Sequence, residues 1–283
     1  MATSAADNSG GRSGQTRVMT RMTERRRIVR VDGGRVVERP DTLAVEEPLE
    51  IRVAGRAVSV TMRTPGHDLD LALGFLVTEG VVATPDDVVE AIACGDNVVD
   101  VTTTDAAAGR VTERRFYTSS SCGMCGKESI DAVRTRSPHD VSVDRLVVEP
   151  HVLTSLPDRL REAQRVFDRT GGLHAAGLFT AAGELLCLRE DVGRHNAVDK
   201  VVGWAVQQRR LPLTGTVLQV SGRASFELVQ KATLAGIPML AAVSAPSSLA
   251  AELAAEAGMT LVGFLRGESF NVYSRPDRIA ATN

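Results

Sequence analysis

Two cysteines with two residues between them, Cys122-Gly-Met-Cys125, are the side chains of this 283-residue sequence best suited to chemistry. They sit among small polar residues, in Thr118-Ser-Ser-Ser-Cys-Gly-Met-Cys-Gly126. Three chemistries use such a pair. It can supply half of a structural zinc site, which commonly takes four ligands from two such knuckles. It can exchange electrons as a dithiol, where a helix N-terminus lowers the first thiol's pKa. Or its thiolate can attack a persulfide on a donor and carry the outer sulfur onward, which asks for an accessible cysteine of lowered pKa on a mobile arm. Ser119 to Ser121, Gly123 and Gly126 would supply the mobility. Arg114, Arg115 and Lys127 would favour the thiolate, and Cys125 would assist release by attacking the inner sulfur. The plain alternative is a loop with two idle thiols.

The metal readings lack partners. Zinc deaminases pair P-C-x-x-C with an H-x-E whose glutamate moves protons. None of the five histidines (His67, His139, His151, His174, His195) opens an H-x-E, and Ser121 stands where the proline would be. There is one C-x-x-C, not two, so no structural metal is expected. The dithiol reading has the strand-to-helix setting in its favour. Against it, a thioredoxin-like fold places the pair early in a small domain, and here it lies in mid-chain. Cys94 and Cys187 stand in apolar strings and are expected as buried, inert thiols.

The bulk composition removes several classes. Hydrophobic residues make up 43% and charged residues 24%, ordinary for a globular chain. A net charge of -2 gives no basic field for nucleic acid or an anionic membrane, and 4% aromatics leaves little for base stacking. No apolar run approaches the roughly 20 residues of a membrane helix. Residues 1–27 are polar and Arg-rich without an apolar stretch, so a disordered tail is expected, with no secretory leader. A reducing, cytoplasmic setting follows.

The elements that must position the cysteines divide into two parts. Residues 28–113 read as a small α+β unit. Strands are expected at 29–31, 36–37 and 49–53, with turns at Gly33-Gly34 and Gly55-Arg56. A helix follows His67 or Asp68, with Asp68 the better cap, carrying Leu69, Ala72, Leu73 and Leu76 on one face and ending at Gly80. A hairpin-like break is expected at 106–109. Residues 114–283 form the second unit, with the cysteine loop at 118–127 between a strand at 114–117 and a helix at 127–133. A polar linker at 134–140 and an amphipathic helix at 156–169 follow. After residue 185 the pattern is β-α-β-α-β with near-continuous apolar strands, which predicts an α/β fold with a parallel sheet covered on both faces.

In an open α/β sheet, ligands bind beyond the carboxyl ends of the strands. Those ends fall at 189–196, 221–225, 244–248 and 266–269, segments rich in Gly or Ser, three of them with Arg. Several precede helix N-termini, whose free N–H groups favour anions. The set suits phosphate or pyrophosphate, although no P-loop or G-x-G-x-x-G is present.

Several long motifs, in order, carry a family likeness. They are Arg63-Thr-Pro-Gly-His-Asp68, Gly74-Phe-Leu-Val-Thr-Glu-Gly80, Ser121-Cys-Gly-Met-Cys-Gly126, Glu190-Asp-Val-Gly-Arg-His-Asn-Ala-Val-Asp-Lys200, Ser221-Gly-Arg-Ala-Ser-Phe-Glu227 and Gly263-Phe-Leu-Arg-Gly-Glu-Ser-Phe-Asn-Val-Tyr273. Over roughly 28–275 the sequence resembles the formate dehydrogenase accessory sulfurtransferases, the FdhD/NarQ family. The resemblance implies a sulfurtransferase that takes sulfur from a cysteine desulfurase and delivers it to the bis-molybdopterin guanine dinucleotide cofactor of formate dehydrogenase. It implies that Cys122 carries the persulfide, with Cys125 in support. The family's cofactor-binding stretch maps onto Phe264, Leu265, Arg266, Gly267, Glu268 and Ser269. With it go Gly222 and Arg223 as further candidate cofactor contacts and His195 as a polar neighbour. It also implies a homodimer and a cytidine deaminase-like three-layer α/β/α domain beside the smaller α+β domain. Two other classes remain: a chaperone that binds the cofactor and the apo-enzyme without moving sulfur, and a dithiol oxidoreductase.

Overall fold

The computed structural model describes residues 21–112 and 137–281. The first element is a two-stranded antiparallel hairpin, β1 (Thr23–Asp32) and β2 (Arg35–Ala44), turning at Gly33-Gly34. The expected tail therefore ends sooner than residue 27, because Thr23 to Arg27 already pair with residues 40–44. A four-stranded sheet follows, in the order β4-β3-β6-β5, built from β3 (Glu47–Val53), β4 (Arg56–Arg63), β5 (Val88–Ala93) and β6 (Val98–Thr103). The alternation read at 49–53 holds: Leu49, Ile51 and Val53 are buried while their neighbours are partly exposed. Ala54 and Gly55, both at positive φ (49 and 78), close the β3–β4 hairpin, the geometry that matches strand twist.

The six-stranded sheet runs β12-β11-β10-β9-β7-β8. Its strands are β7 (His174–Thr180), β8 (Leu185–Asp191), β9 (Thr216–Val220), β10 (Met239–Ala242), β11 (Thr260–Arg266) and β12 (Ser269–Ser274). It is mixed, not parallel throughout. β9, β10 and β11 are parallel, but β7 is antiparallel to both β8 and β9, and β12 is antiparallel to β11. The reason is local: Gly183 at φ 79 closes a tight β7–β8 hairpin that β–α alternation alone does not announce. Even so, β8, β9, β10 and β11 all point the same way, so their carboxyl ends share one edge.

Helices cover both faces. On one lie α1 (Asp68–Thr78), α5 (Arg194–Gln207), α6 (Phe226–Leu234) and α7 (Ser248–Glu256), gathered around a cluster that includes Leu76, Val198, Val202, Leu218, Leu228 and Leu240. On the other, α3 (Pro150–Ala163) sets Leu153, Leu156 and Leu160 against Phe179, Val217, Met239 and Val262. Each such side chain contributes roughly 1.5–3 kcal/mol relative to leaving it in water. The result is the expected α/β/α layering. The first cluster also contains Leu49, Ile51 and Val99, so the four-stranded sheet shares its core with the larger one. The seam between the parts is α1 against α5, and two glycines set its spacing. A Cβ at Gly74 would lie 1.7 Å from the Asp199 carbonyl oxygen, and one at Gly203 1.7 Å from that of Asp70.

Four local expectations change. His67, left-handed at φ 58, is the N-cap of α1, because the Asp68 carboxylate is taken by Arg63. Residues 106–109 form no hairpin but lie in α2 (Asp105–Thr112), where an alanine run outweighs Gly109. The helix expected at 156–169 is two: α3 begins at Pro150 and ends at Ala163, and α4 (Arg165–Thr170) restarts after Gln164. Glu190 of β8 causes the break by accepting from the Val166 and Phe167 amides at 3.0 and 2.8 Å. Finally, Cys94 is exposed, because its apolar string is an edge strand whose Ile92 is itself 45% exposed. Cys187 is buried as expected, and burial pushes its thiol up to about 12.

Candidate functional site

The carboxyl edge of the six-stranded sheet is positioned by a fully buried ion pair. Asp191, the last residue of β8, meets the Lys200 ammonium of α5 at 2.6 Å, and both side chains are sealed from solvent. The carboxylate also accepts from the backbone amides of Thr64 (3.1 Å) and Gly193 (2.8 Å) and from the Asn196 amide (3.1 Å). Lys200 donates to the Thr64 carbonyl at 2.8 Å. Burial pulls the Lys200 pKa down, opposed by Asp191. A buried charge is tolerated when paired and hydrogen-bonded in this way. The pair fixes the β8–α5 turn and also locks it to the segment after β4.

A second network ties the helices together. Lys231 of α6 reaches both oxygens of Asp199 in α5 at 2.8 Å, and Thr78 of α1 donates to Asp199 at 2.7 Å. Asp70 of α1 binds Arg189 of β8 at 2.8 Å. Arg63 forms a forked pair with Asp68, 2.9 Å at each oxygen. The motif residues at 63–70 and 189–200 therefore meet in space.

On this frame stands a group of polar side chains. His174 opens β7, which runs opposite to β8 and so begins at the same edge. Burial lowers its pKa, helped by the nearby Arg194 and His195 charges, leaving the ring neutral at pH 7. His195, in the first turn of α5, places Nε2 3.7 Å from Glu227 and 3.5 Å from Ser225 Oγ. His195 in turn holds the Glu227 carboxyl down at about 2, aided by Ser225 and against the effect of burial. Arg194 Nε is buried with no hydrogen-bond partner among the described residues. An unpaired buried guanidinium donor is costly unless an anion completes it.

The neighbouring loops are laced together. Ala224 and Pro246 form a bridge, and the Ser247 amide donates to the Ala224 carbonyl at 3.1 Å. The Phe264 amide donates to the Ser244 carbonyl at 3.2 Å, and Arg266 Nε to the Val243 carbonyl at 2.9 Å. Phe264 has φ 53 and is 42% exposed, a conformation that a bulky residue holds only under constraint. Gly263 allows it: a Cβ there would stand 2.8 Å from Pro246.

Of the residues singled out in the sequence, His195 joins Ser225 and Glu227, and Gly222 lies beside the His174 ring. Arg223 and Arg266 are exposed at the same edge. Gly267 and Glu268 form the exposed β11–β12 turn, and exposed Ser269 opens β12. Leu265 is different: it is fully buried in the α3 cluster. Cys122, Cys125 and the flanking Arg114, Arg115 and Lys127 lie outside the described residues, as do the strand at 114–117 and the helix at 127–133. Sequence reasoning missed His174, Arg194 and Glu227. The last two lie inside quoted motifs, but the pairing of His195 with Glu227 across two loops has no linear signature.

Fold and edge together define an α/β protein that gathers His174, Arg194, His195 and Glu227 at its strand carboxyl ends. The model of the FdhD/NarQ family matches residues 44–280, and the chain belongs to that family. Relatives described as sulfur carrier protein FdhD are similar along nearly their whole length. The one from Streptomyces avermitilis is 60% identical over 93% of this chain and 97% of its own. That from Mycolicibacterium paratuberculosis is 57% identical over 91% and 99%. The archaeal one from Sulfolobus acidocaldarius is 47% identical over 89% and 97%. The crystal structure of a protein described as a formate dehydrogenase accessory protein, from Desulfotalea psychrophila, shares the fold. Its TM-score is 0.75 at 24% identity, over 92% of this chain and all of that one.

Proposed function

We propose that this protein is a sulfur carrier for formate dehydrogenase maturation. Cys122 receives sulfur as a persulfide from a cysteine desulfurase, and Cys125 supports its release. The acceptor is the bis-molybdopterin guanine dinucleotide cofactor, held as substrate at the carboxyl edge. The protein works in the cytoplasm as a homodimer. The relatives' descriptions support the carrier role.

One observation supports the acceptor site above others: the buried Arg194 Nε, without a partner among the described residues, beside neutral His174. A pyrophosphate oxygen there would complete the guanidinium, at the start of α5 where helix amides favour anions. Phe264, exposed and tied through its amide to the Ser244 carbonyl, offers a face for guanine. Gly222, Arg223 and Arg266 stand at the same edge to complete the contacts.

Calorimetry with GDP, a fragment of the acceptor, tests the site. Wild type should bind it, Arg194→Ala about tenfold or more weakly, in line with loss of a charge-assisted hydrogen bond. Equal binding by the two proteins would remove the site from this edge. Cys122→Ala should bind GDP normally yet fail to activate formate dehydrogenase.

A further inference from the structure

The β1–β2 hairpin is poorly supported within this chain. An isolated two-stranded hairpin is at best marginally stable in water, yet Val29, Val31 and Val36 near its tip are 59%, 67% and 66% exposed. The strand register places these three on one face with Arg25 and Thr42. At the hairpin's base that face meets α4, leaving a cleft of about 400 Å³ lined by Arg21, Thr23, Arg25, Thr42, Val166 and Arg169.

The charges there are unbalanced. Arg26 and Arg30 on the opposite face each stand near a carboxylate, and on this face Arg27 pairs with Glu38 at 3.9 Å. Among the described residues, Arg21, Arg25 and Arg169 have none, and Arg169 donates only to the Thr23 hydroxyl at 3.1 Å. The face thus runs from three guanidinium groups with no carboxylate among the described residues, past the exposed Arg27–Glu38 pair, to an apolar tip, the complement of an acidic segment flanked by apolar side chains. It also stands next to the carboxyl edge. Glu190 anchors α4, and the following residue, Asp191, opens the site.

We propose that this face docks the protein that donates sulfur. The inference rests on the carrier reading and deepens it. In that reading the acceptor occupies the carboxyl edge, so a donor protein needs a separate foothold beside it. The docked step is a thiol–persulfide exchange. The Cys122 thiolate attacks the outer sulfur of the donor's persulfide, a new S–S bond forms, the donor's S–S bond breaks, and the donor cysteine leaves as a thiolate. No net oxidation occurs.

The test compares two sulfur sources by mass spectrometry of Cys122: a cysteine desulfurase with cysteine, and glutathione persulfide, which needs no docking. Two variants are used, R25E combined with R169E, and V31S combined with V36S, each checked by its melting curve. Both should load at least about tenfold more slowly from the desulfurase, since charge reversal in a docking face acts on association. Both should load normally from glutathione persulfide. Salt at about 0.5 M should slow wild-type loading from the desulfurase alone. Desulfurase loading at the wild-type rate in both variants would overturn the proposal. So would equal slowing with both sources, which would place the effect at Cys122 itself. If wild type takes sulfur from neither source, the carrier reading fails, and the docking face with it.

Discussion

The carboxyl edge of the large sheet and the β1–β2 hairpin are built on opposite plans. At the edge the central ion pair is fully satisfied: Asp191 binds Lys200, two backbone amides and Asn196, and neither ion sees solvent. On the hairpin the valines face water and the cleft arginines lack carboxylates among the described residues. The edge is over-determined, as a site that must hold groups in place requires. The hairpin is under-determined, as a surface completed by another molecule would be. Substitutions should therefore damage stability at the edge and its supports, and association at the hairpin.

The largest effect is expected at the α1–α5 seam. Gly74→Val would drive carbon atoms into the Asp199 backbone, where even a Cβ stands 1.7 Å away. A loss of about 5 kcal/mol or more is expected, enough to leave little folded protein in a denaturant titration. Next comes Lys200→Met, which strands the buried Asp191 charge. Breaking such a pair from one side costs about 3–5 kcal/mol, read as a lower urea midpoint with an unchanged slope.

Acid should act on the edge more gently. The folded Glu227 carboxyl is held at about 2 against an ordinary 4.5. A depressed carboxyl stabilises above its ordinary value and loses that contribution as pH falls from about 4.5 toward 2. Glu227→Gln should flatten the fall in melting temperature over that window. The smallest effect is expected on the hairpin: Val29, Val31 or Val36 changed to Ser should move stability by about 0.5 kcal/mol or less. A loss of several kcal/mol there would show the valines packed within the chain and would erase the contrast.

The same contrast explains what could be read from sequence. The edge is encoded in short apolar strands that end in Gly, Ser and Arg, so β9, β10, β11 and their loops were legible from periodicity and turn chemistry. Those loops also hold the candidates His195, Gly222 and Arg223. Pairings between distant segments were not. Glu190 breaks α3 from α4 across 24 residues, and Gly74 matters only because Asp199 approaches it. β7 is joined to β8 by a tight hairpin and not by a helix, so β–α alternation carries no sign of the antiparallel pairing. Cys94 looked buried because an exposed edge strand carries the same apolar letters as a core strand. Leu265 looked like a ligand contact because motif position says nothing about which face a strand residue takes.

The central claim is that sulfur travels on Cys122. Intact-protein and peptide mass spectrometry after incubation with a cysteine desulfurase and cysteine tests it most directly. The account predicts one added sulfur atom on the peptide bearing Cys122, removed by reductant and absent in Cys122→Ala, with Cys94 and Cys187 unmodified. A wild-type protein that gains no sulfur at Cys122, or gains it equally on Cys94, would contradict it.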